Sequence, residues 1–102
     1  MSIPFKSKTV EPLGAPGAAR QLAAGSTTAN TALTAGVFRI SMRAVNADIR
    51  FAVGAGSQTA NATTSHFIAN GERLDFAVPP GANIAVIRDG STNGTLEVTE
   101  LI

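Results

Sequence analysis

From Arg20 onward the chain runs in short stretches where apolar and polar residues alternate, separated by clusters of Gly, Pro, Asn, Asp and Ser. Alternation sends successive side chains to opposite faces of an extended chain, so each stretch predicts a strand with one buried face. Residues 36–44 show it best, setting Phe38, Ile40 and Met42 against Val37, Arg39, Ser41 and Arg43. Residues 47–53 oppose Ile49, Phe51 and Val53 to Asp48, Arg50 and Ala52. Residues 72–78 turn Leu74, Phe76 and Val78 inward, and 95–101 alternate Leu96 and Val98 with Glu97 and Thr99. In residues 82–88, Ile84, Ala85, Val86 and Ile87 make both faces apolar, which predicts the most buried strand. Shorter strands are predicted at 19–23 and 63–69. Asn70-Gly71 is a two-residue hairpin signal, since both residue types accept positive φ. The sum is one all-β domain over 18–102, a sandwich of about seven antiparallel strands.

Two segments fall outside that rhythm. Residues 15–24 have the one helix-like composition, which Gly17 and Gly25 limit to roughly two turns. Residues 1–17 hold Pro4, Pro12, Pro16, Gly14 and Gly17, which break regular structure, so an extended N-terminal arm is expected. Its apolar anchors are Ile3, Phe5, Val10 and Leu13, and Lys6 and Lys8 make its start basic. An internal echo joins AGSTTANTALT (24–34) to AGSQTANATTS (55–65), identical at six of eleven positions. The flanking strands do not align, so biased composition explains it better than duplication; both segments are expected to form similar flexible loops.

Composition narrows the function. No Cys is present, which removes disulfides and thiolate metal sites. The start of the chain lacks the apolar run of a secretory signal, and no stretch approaches the roughly 18 apolar residues of a membrane span. Eight basic and seven acidic residues leave no electrostatic footprint for nucleic acid, and with no Trp or Tyr a base-stacking platform is missing. Charged residues make up 15% of the chain while Ala, Thr, Gly, Ser and Asn abound, a surface suited to contact with neighbours.

Candidate chemistry is sparse. Residues 89–100, DGSTNGTLEVTE, match the twelve-residue calcium loop of an EF-hand at Asp89, Ser91, Asn93, Gly94, Leu96 and Glu100. That loop belongs between helices, and here both flanks are strand-like. An extended 95–101 carries Glu100 roughly 20 Å from Gly94, so a hairpin turn is expected instead. His66, the one histidine, is expected at a partly exposed surface position. Asp48 and Asp75 stand on polar faces and are candidates to meet across strands. No catalytic residue, metal site or cofactor site is expected. Interface candidates are Arg39 and Arg43 on one strand face, Arg50 on the outer face of the next strand, and Ile3, Phe5, Lys6 and Lys8 of the arm. Arg suits such a role because its planar fork binds carboxylates and carbonyls.

The Pro/Gly arm, GVFRISM, NGERLDFAVPPG and the ending IAVIRDG…GTLEVTEL together resemble small virion proteins of tailed bacteriophages, particularly capsid decoration (cement) proteins. The resemblance spans most of residues 20–102. It implies a β-sandwich or jelly-roll domain that forms homo-oligomers, often trimers, and bridges major capsid subunits or other virion proteins. It implies a place in the virion, assembled in the host cytoplasm and not secreted. The composition and the scattered titratable groups add the expectation of no enzyme activity and of neither nucleic acid nor membrane as partner. A tail, baseplate or connector component has the same composition. A carbohydrate-binding or adhesin module is a further alternative, weakened by the missing sugar-stacking aromatics.

Overall fold

The computed structural model describes residues 15–102. They form eight strands: β1 (Pro16–Ala24), β2 (Ala29–Ala32), β3 (Arg39–Val45), β4 (Ile49–Ala55), β5 (His66–Ile68), β6 (Arg73–Ala77), β7 (Ala82–Arg88) and β8 (Gly94–Leu101). Alternation decides which face of each strand is buried. Ile40, Met42 and Ala44 on β3 meet Leu96 and Val98 on β8 and Leu22 on β1. Ile49 and Phe51 on β4 join Ile84 and Val86 on β7 and Ile68 on β5. These two apolar layers close on each other as one core.

The strands make two antiparallel sheets, ordered β1-β8-β3-β6 and β2-β7-β4-β5. The pairing is nested. The first strand lies beside the last, the second beside the seventh, β3 beside β6 and β4 beside β5. The chain is thus a long antiparallel double strand, closed between β4 and β5 and rolled so that alternate pairs fall into opposite sheets. Pairing of β8 with β3 and of β7 with β4 completes the roll. This is the eight-stranded jelly roll. Connections 25–28, 46–48, 69–72 and 89–93 gather at one end of the sandwich. Those at 33–38, 56–65 and 78–81 gather at the other, beside Ala15 and Ile102, which exchange two backbone hydrogen bonds.

The sandwich and the doubly buried seventh strand agree with the sequence reading; Ile84, Ala85 and Val86 are all buried. The strand expected at 19–23 is β1, longer at both ends, and pairing with β8 overrides the helix-like composition of 15–24. Four local expectations are corrected. Residues 16 and 17, counted in the arm, belong to that strand. β2 was not foreseen: ANTA has no large apolar residue, and its strand conformation comes from pairing with β7. Phe38 is 57% exposed, since β3 begins at Arg39 and Val37 takes the buried place.

Asn70-Gly71 does make a turn, closed by the Glu72 N–H on the Ala69 carbonyl at 2.8 Å. It is not a hairpin. Only Gly71 has positive φ (84°), the type II pattern, whereas a type I′ hairpin needs positive φ at both central residues. The Gly71 N–H donates to the Ala44 carbonyl at 2.7 Å, so β3 captures the turn and the chain crosses from one sheet to the other.

The sharpest crossing is the β3–β4 turn. Asn46 adopts φ of 75°, a conformation Asn tolerates through its short polar side chain. Ala47 then packs on Gly94, where an added Cβ would stand 2.9 Å from the Ala47 Cβ and 3.0 Å from the Val45 carbonyl oxygen. Neither atom can swing away. Gly94→Ala is therefore expected to destabilise the domain by about 1–3 kcal/mol, the usual cost of overpacking. Gly54→Ala is the control: its Cβ meets the flexible end of Gln58, and thermal melts should show it nearly neutral.

Candidate interaction surface

The two outer faces of the sandwich differ. On the β2-β7-β4-β5 sheet the residues facing out include Ala85 and Ala52, paired neighbours, with Asn30 beyond Ala85. Ala85 is nonetheless fully buried. The cover is the 56–65 connection, which leaves β4 and reaches across to β2. The Gln58 N–H donates to Asn30 Oδ1 at 2.8 Å, and the Ala60 N–H donates to Thr28 Oγ1 at 2.8 Å. Asn61 Oδ1 accepts from the Thr63 N–H, the Thr63 hydroxyl and the Thr64 N–H, which sets the return turn. The echoed segments are therefore not two similar loops. One contains β2, the other is a covering layer, and they bond to each other.

The outer face of the β1-β8-β3-β6 sheet has no such cover among the described residues. Its rows follow from the register. Gln21, Glu97, Arg43 and Arg73 stand side by side, then Ala19, Thr99, Ser41 and Asp75, then Leu101, Arg39 and Ala77. Arg73 Nη1 donates to Ser41 Oγ at 3.0 Å. Arg39, Arg43 and Arg73 set against Asp75 and Glu97 give this face a net charge of +1. Arg39 and Arg43 thus share one outer face, as their spacing predicts.

Arg50 does not join them. β3 and β4 belong to different sheets, so their outer faces point in opposite directions. Arg50 is also engaged. Its Nε donates to Asp89 Oδ1 at 2.8 Å, Nη1 donates to the Ser65 carbonyl at 3.0 Å, and its guanidinium lies 5.0 Å from the centre of the Phe67 ring. It fastens the β7–β8 turn and the entry to β5 to the strand between them. Ile3, Phe5, Lys6 and Lys8 lie outside the described residues.

Other candidates resolve in the same way. Asp48 and Asp75 do not meet: Asp48 Oδ1 accepts the Asn70 N–H at one end of the sandwich, whereas Asp75 pairs with Ser41 on the outer face. A polar basin of about 280 Å³ opens at that end between Asn46, Asp48, Asn70, Asp89, Ser91 and Thr92. The EF-hand-like positions are split, because Glu100 is near the opposite end of β8 from Asp89. His66 is exposed, 5.4 Å from the Phe51 ring, on a shallow apolar groove shared with Leu74 and Phe76. Among the described residues, no three His, Asp or Glu side chains gather as metal ligands, and no helix is long and apolar enough to cross a membrane.

The sequence reading named Glu100 only within the calcium-loop pattern and missed its burial and its pairing with Arg20. Glu100 is 1% exposed, on the inward face of β8 with Leu96 and Val98. Its Oε2 accepts from Arg20 Nε and from the Thr34 N–H, both at 2.9 Å. Arg20 Nη2 also donates to Thr34 Oγ1 at 3.1 Å. This knot ties β1, β8 and the β2–β3 connection together. Burial pushes the Glu100 carboxyl up, and the hydrogen bonds from Thr34 and Arg20, with the Arg20 charge, outweigh it, leaving the group below the usual carboxylate range. Parity carried the signal: Glu100 sits an even number of residues from Val98, and Arg20 from Leu22.

In comparisons with known proteins, no family model matches the chain, and no curated protein or solved structure is significantly similar to it.

Proposed function

We propose that this domain is a virion structural protein, a capsid decoration or cement protein that forms homo-oligomers and bridges major capsid subunits. The observation that carries the reading is the division of labour between the two outer faces. One sheet is covered by the chain's own 56–65 connection, while the other, among the described residues, presents an uncovered platform of Arg, Asp, Glu, Ser and Thr in register. The jelly roll supports it by analogy, since viral capsid domains use this architecture; lectins and cupins use it too, so the fold alone does not assign the role. The sparse and scattered titratable groups favour a binding role over catalysis. Each contact on such a platform is weak, and a subunit touching several neighbours gains avidity from effective concentration.

Electron microscopy of native particles labelled with antibody against this chain tests the reading. Regular label on the head supports it. Label confined to the tail, baseplate or connector supports the alternative placement, and particles without label overturn the virion role. The platform has its own test. Arg43 is exposed between Arg73 and Glu97 in the register. Arg43→Glu should weaken particle binding at least tenfold in a sedimentation assay while the melting temperature stays within about 2 °C, as for most exposed substitutions. Unchanged binding removes this face from the contact.

A further inference from the structure

β1 is a sheet edge. β8 lies on one side of it, and among the described residues no strand lies on the other. An open edge shows a row of backbone N–H and C=O groups, a template on which a further strand can pair. Natural edges are shielded by shortness, outward charge, Pro or bulges. β2, β5 and β6 follow that rule, with four, three and five residues, and β6 turns Arg73 and Asp75 outward. β1 has nine residues. Pro16 and a register shift protect only its start, and from Ala19 to Ala24 it runs in unbroken register with β8. Over that stretch its one charge, Arg20, is turned inward and held by Glu100. The side chains facing out are Ala19, Gln21 and Ala23.

We propose that β1 pairs antiparallel with β1 of a second copy across a two-fold axis, joining two four-stranded sheets into one of eight. Charge selects this occupant. Two-fold pairing sets residues symmetric about the centre against one another, so a charge at the centre would meet its like. With Gln21 at the centre, each Gln21 amide faces the other, and an amide both donates and accepts. Ala19 then faces Ala23 of the second copy, and Arg20 faces its Leu22. Both pairs keep like faces together, so the two cores stay on the same side of the joined sheet. A head-to-tail contact of β1 with the β6 edge would set Arg73 and Asp75 against a neutral strand and give a ring or an open filament. The three-fold oligomer that the phage resemblance implies needs a contact of that kind.

The inference takes from the assembly reading only the expectation that an open edge is covered, and the two fail separately: particle binding and solution mass are different measurements. Light scattering on the full chain should give twice the chain mass, and Gln21→Lys, with an unchanged circular dichroism spectrum, should give the chain mass. The chain has no Cys, so Gln21→Cys adds a single thiol. Facing Cα atoms in an antiparallel pair stand about 4.5–5.5 Å apart, within the roughly 4.4–6.8 Å that a disulfide spans. Mild oxidation should therefore link Gln21→Cys into a covalent dimer and leave Arg73→Cys unlinked. The proposal is overturned by the chain mass at every concentration, by three times that mass, or by an Arg73→Cys dimer with Gln21→Cys unlinked.

Discussion

Arg20→Ala should lower the stability of this domain by about 3 kcal/mol, because it leaves the buried Glu100 carboxylate without its counter-charge. Glu100 is 1% exposed and the Arg20 side chain 28%, so the carboxylate cannot turn to water when the guanidinium is removed. The Thr34 N–H remains, which keeps the loss toward the lower end of what breaking a buried pair costs. For a domain of this length, that corresponds to a fall in melting temperature of roughly 10–20 °C. The effect depends on pH in a definite direction. In the native protein the Glu100 carboxyl is held below the usual carboxylate range, so its contribution is full above the unfolded carboxylate value and is lost as pH falls through the folded one. Removing Arg20 leaves the desolvation in place and takes away opposing attraction, so the deficit of the variant should be largest above the carboxylate range and should narrow in acid, where protonation removes the unpartnered charge. Urea titrations across the acid range check both parts. Replacing both residues by Leu should recover much of the loss, since an apolar pair of similar volume leaves no buried charge. If the double variant is as unstable as Arg20→Ala, the knot contributes packing rather than charge pairing.

Ile84→Ala should cost about 2–5 kcal/mol, in the upper half of that range. Ile84 is fully buried on β7, which has β2 on one side and β4 on the other. Ladders on both sides hold the backbone, so the cavity cannot collapse and the lining loses its contacts outright. Ile87, three residues on, faces outward and is half-buried. Ile87→Ala should cost about 1 kcal/mol, in proportion to the smaller area it removes from water. Equal losses at the two positions, measured by chemical denaturation, would contradict the assignment of faces on this strand. Small domains have thin margins, so Ile84→Ala is also expected to lower the yield of folded protein.

The interaction surface was half legible from the residues. Arg39 and Arg43 share a strand, and residues two or four apart on a strand share a face whatever the strand pairs with. Arg50 belongs to the next strand, and nothing local says whether that strand lies alongside or across the sandwich. The short 46–48 turn carries it across, and the surface that Arg50 was expected to extend turns out to be the opposite one. The 56–65 segment makes the same point. Its Ala, Thr, Ser and Asn residues read as a loop, and a loop it is. That it covers Ala85 and bonds to Thr28 and Asn30 depends on β2 lying two strands away, a fact that exists only once the sheet is built.

Alternation along the chain specified an all-β domain, most of its strands and most of their buried side chains, because a strand's two-residue period is a local property of the chain. It even contained the inward parity of Arg20 and Glu100, within reach of the same rule. Long-range pairing settled which strands share a sheet, that Asn70-Gly71 crosses between sheets instead of closing a hairpin, that ANTA is a strand, and which outer face the 56–65 connection covers. Those outcomes rest on hydrogen bonds between residues far apart in the chain, such as Gly71 to Ala44 and the β2–β7 ladder. A backbone N–H is the same donor in every residue except proline, so the sequence does not mark which distant carbonyl will receive it.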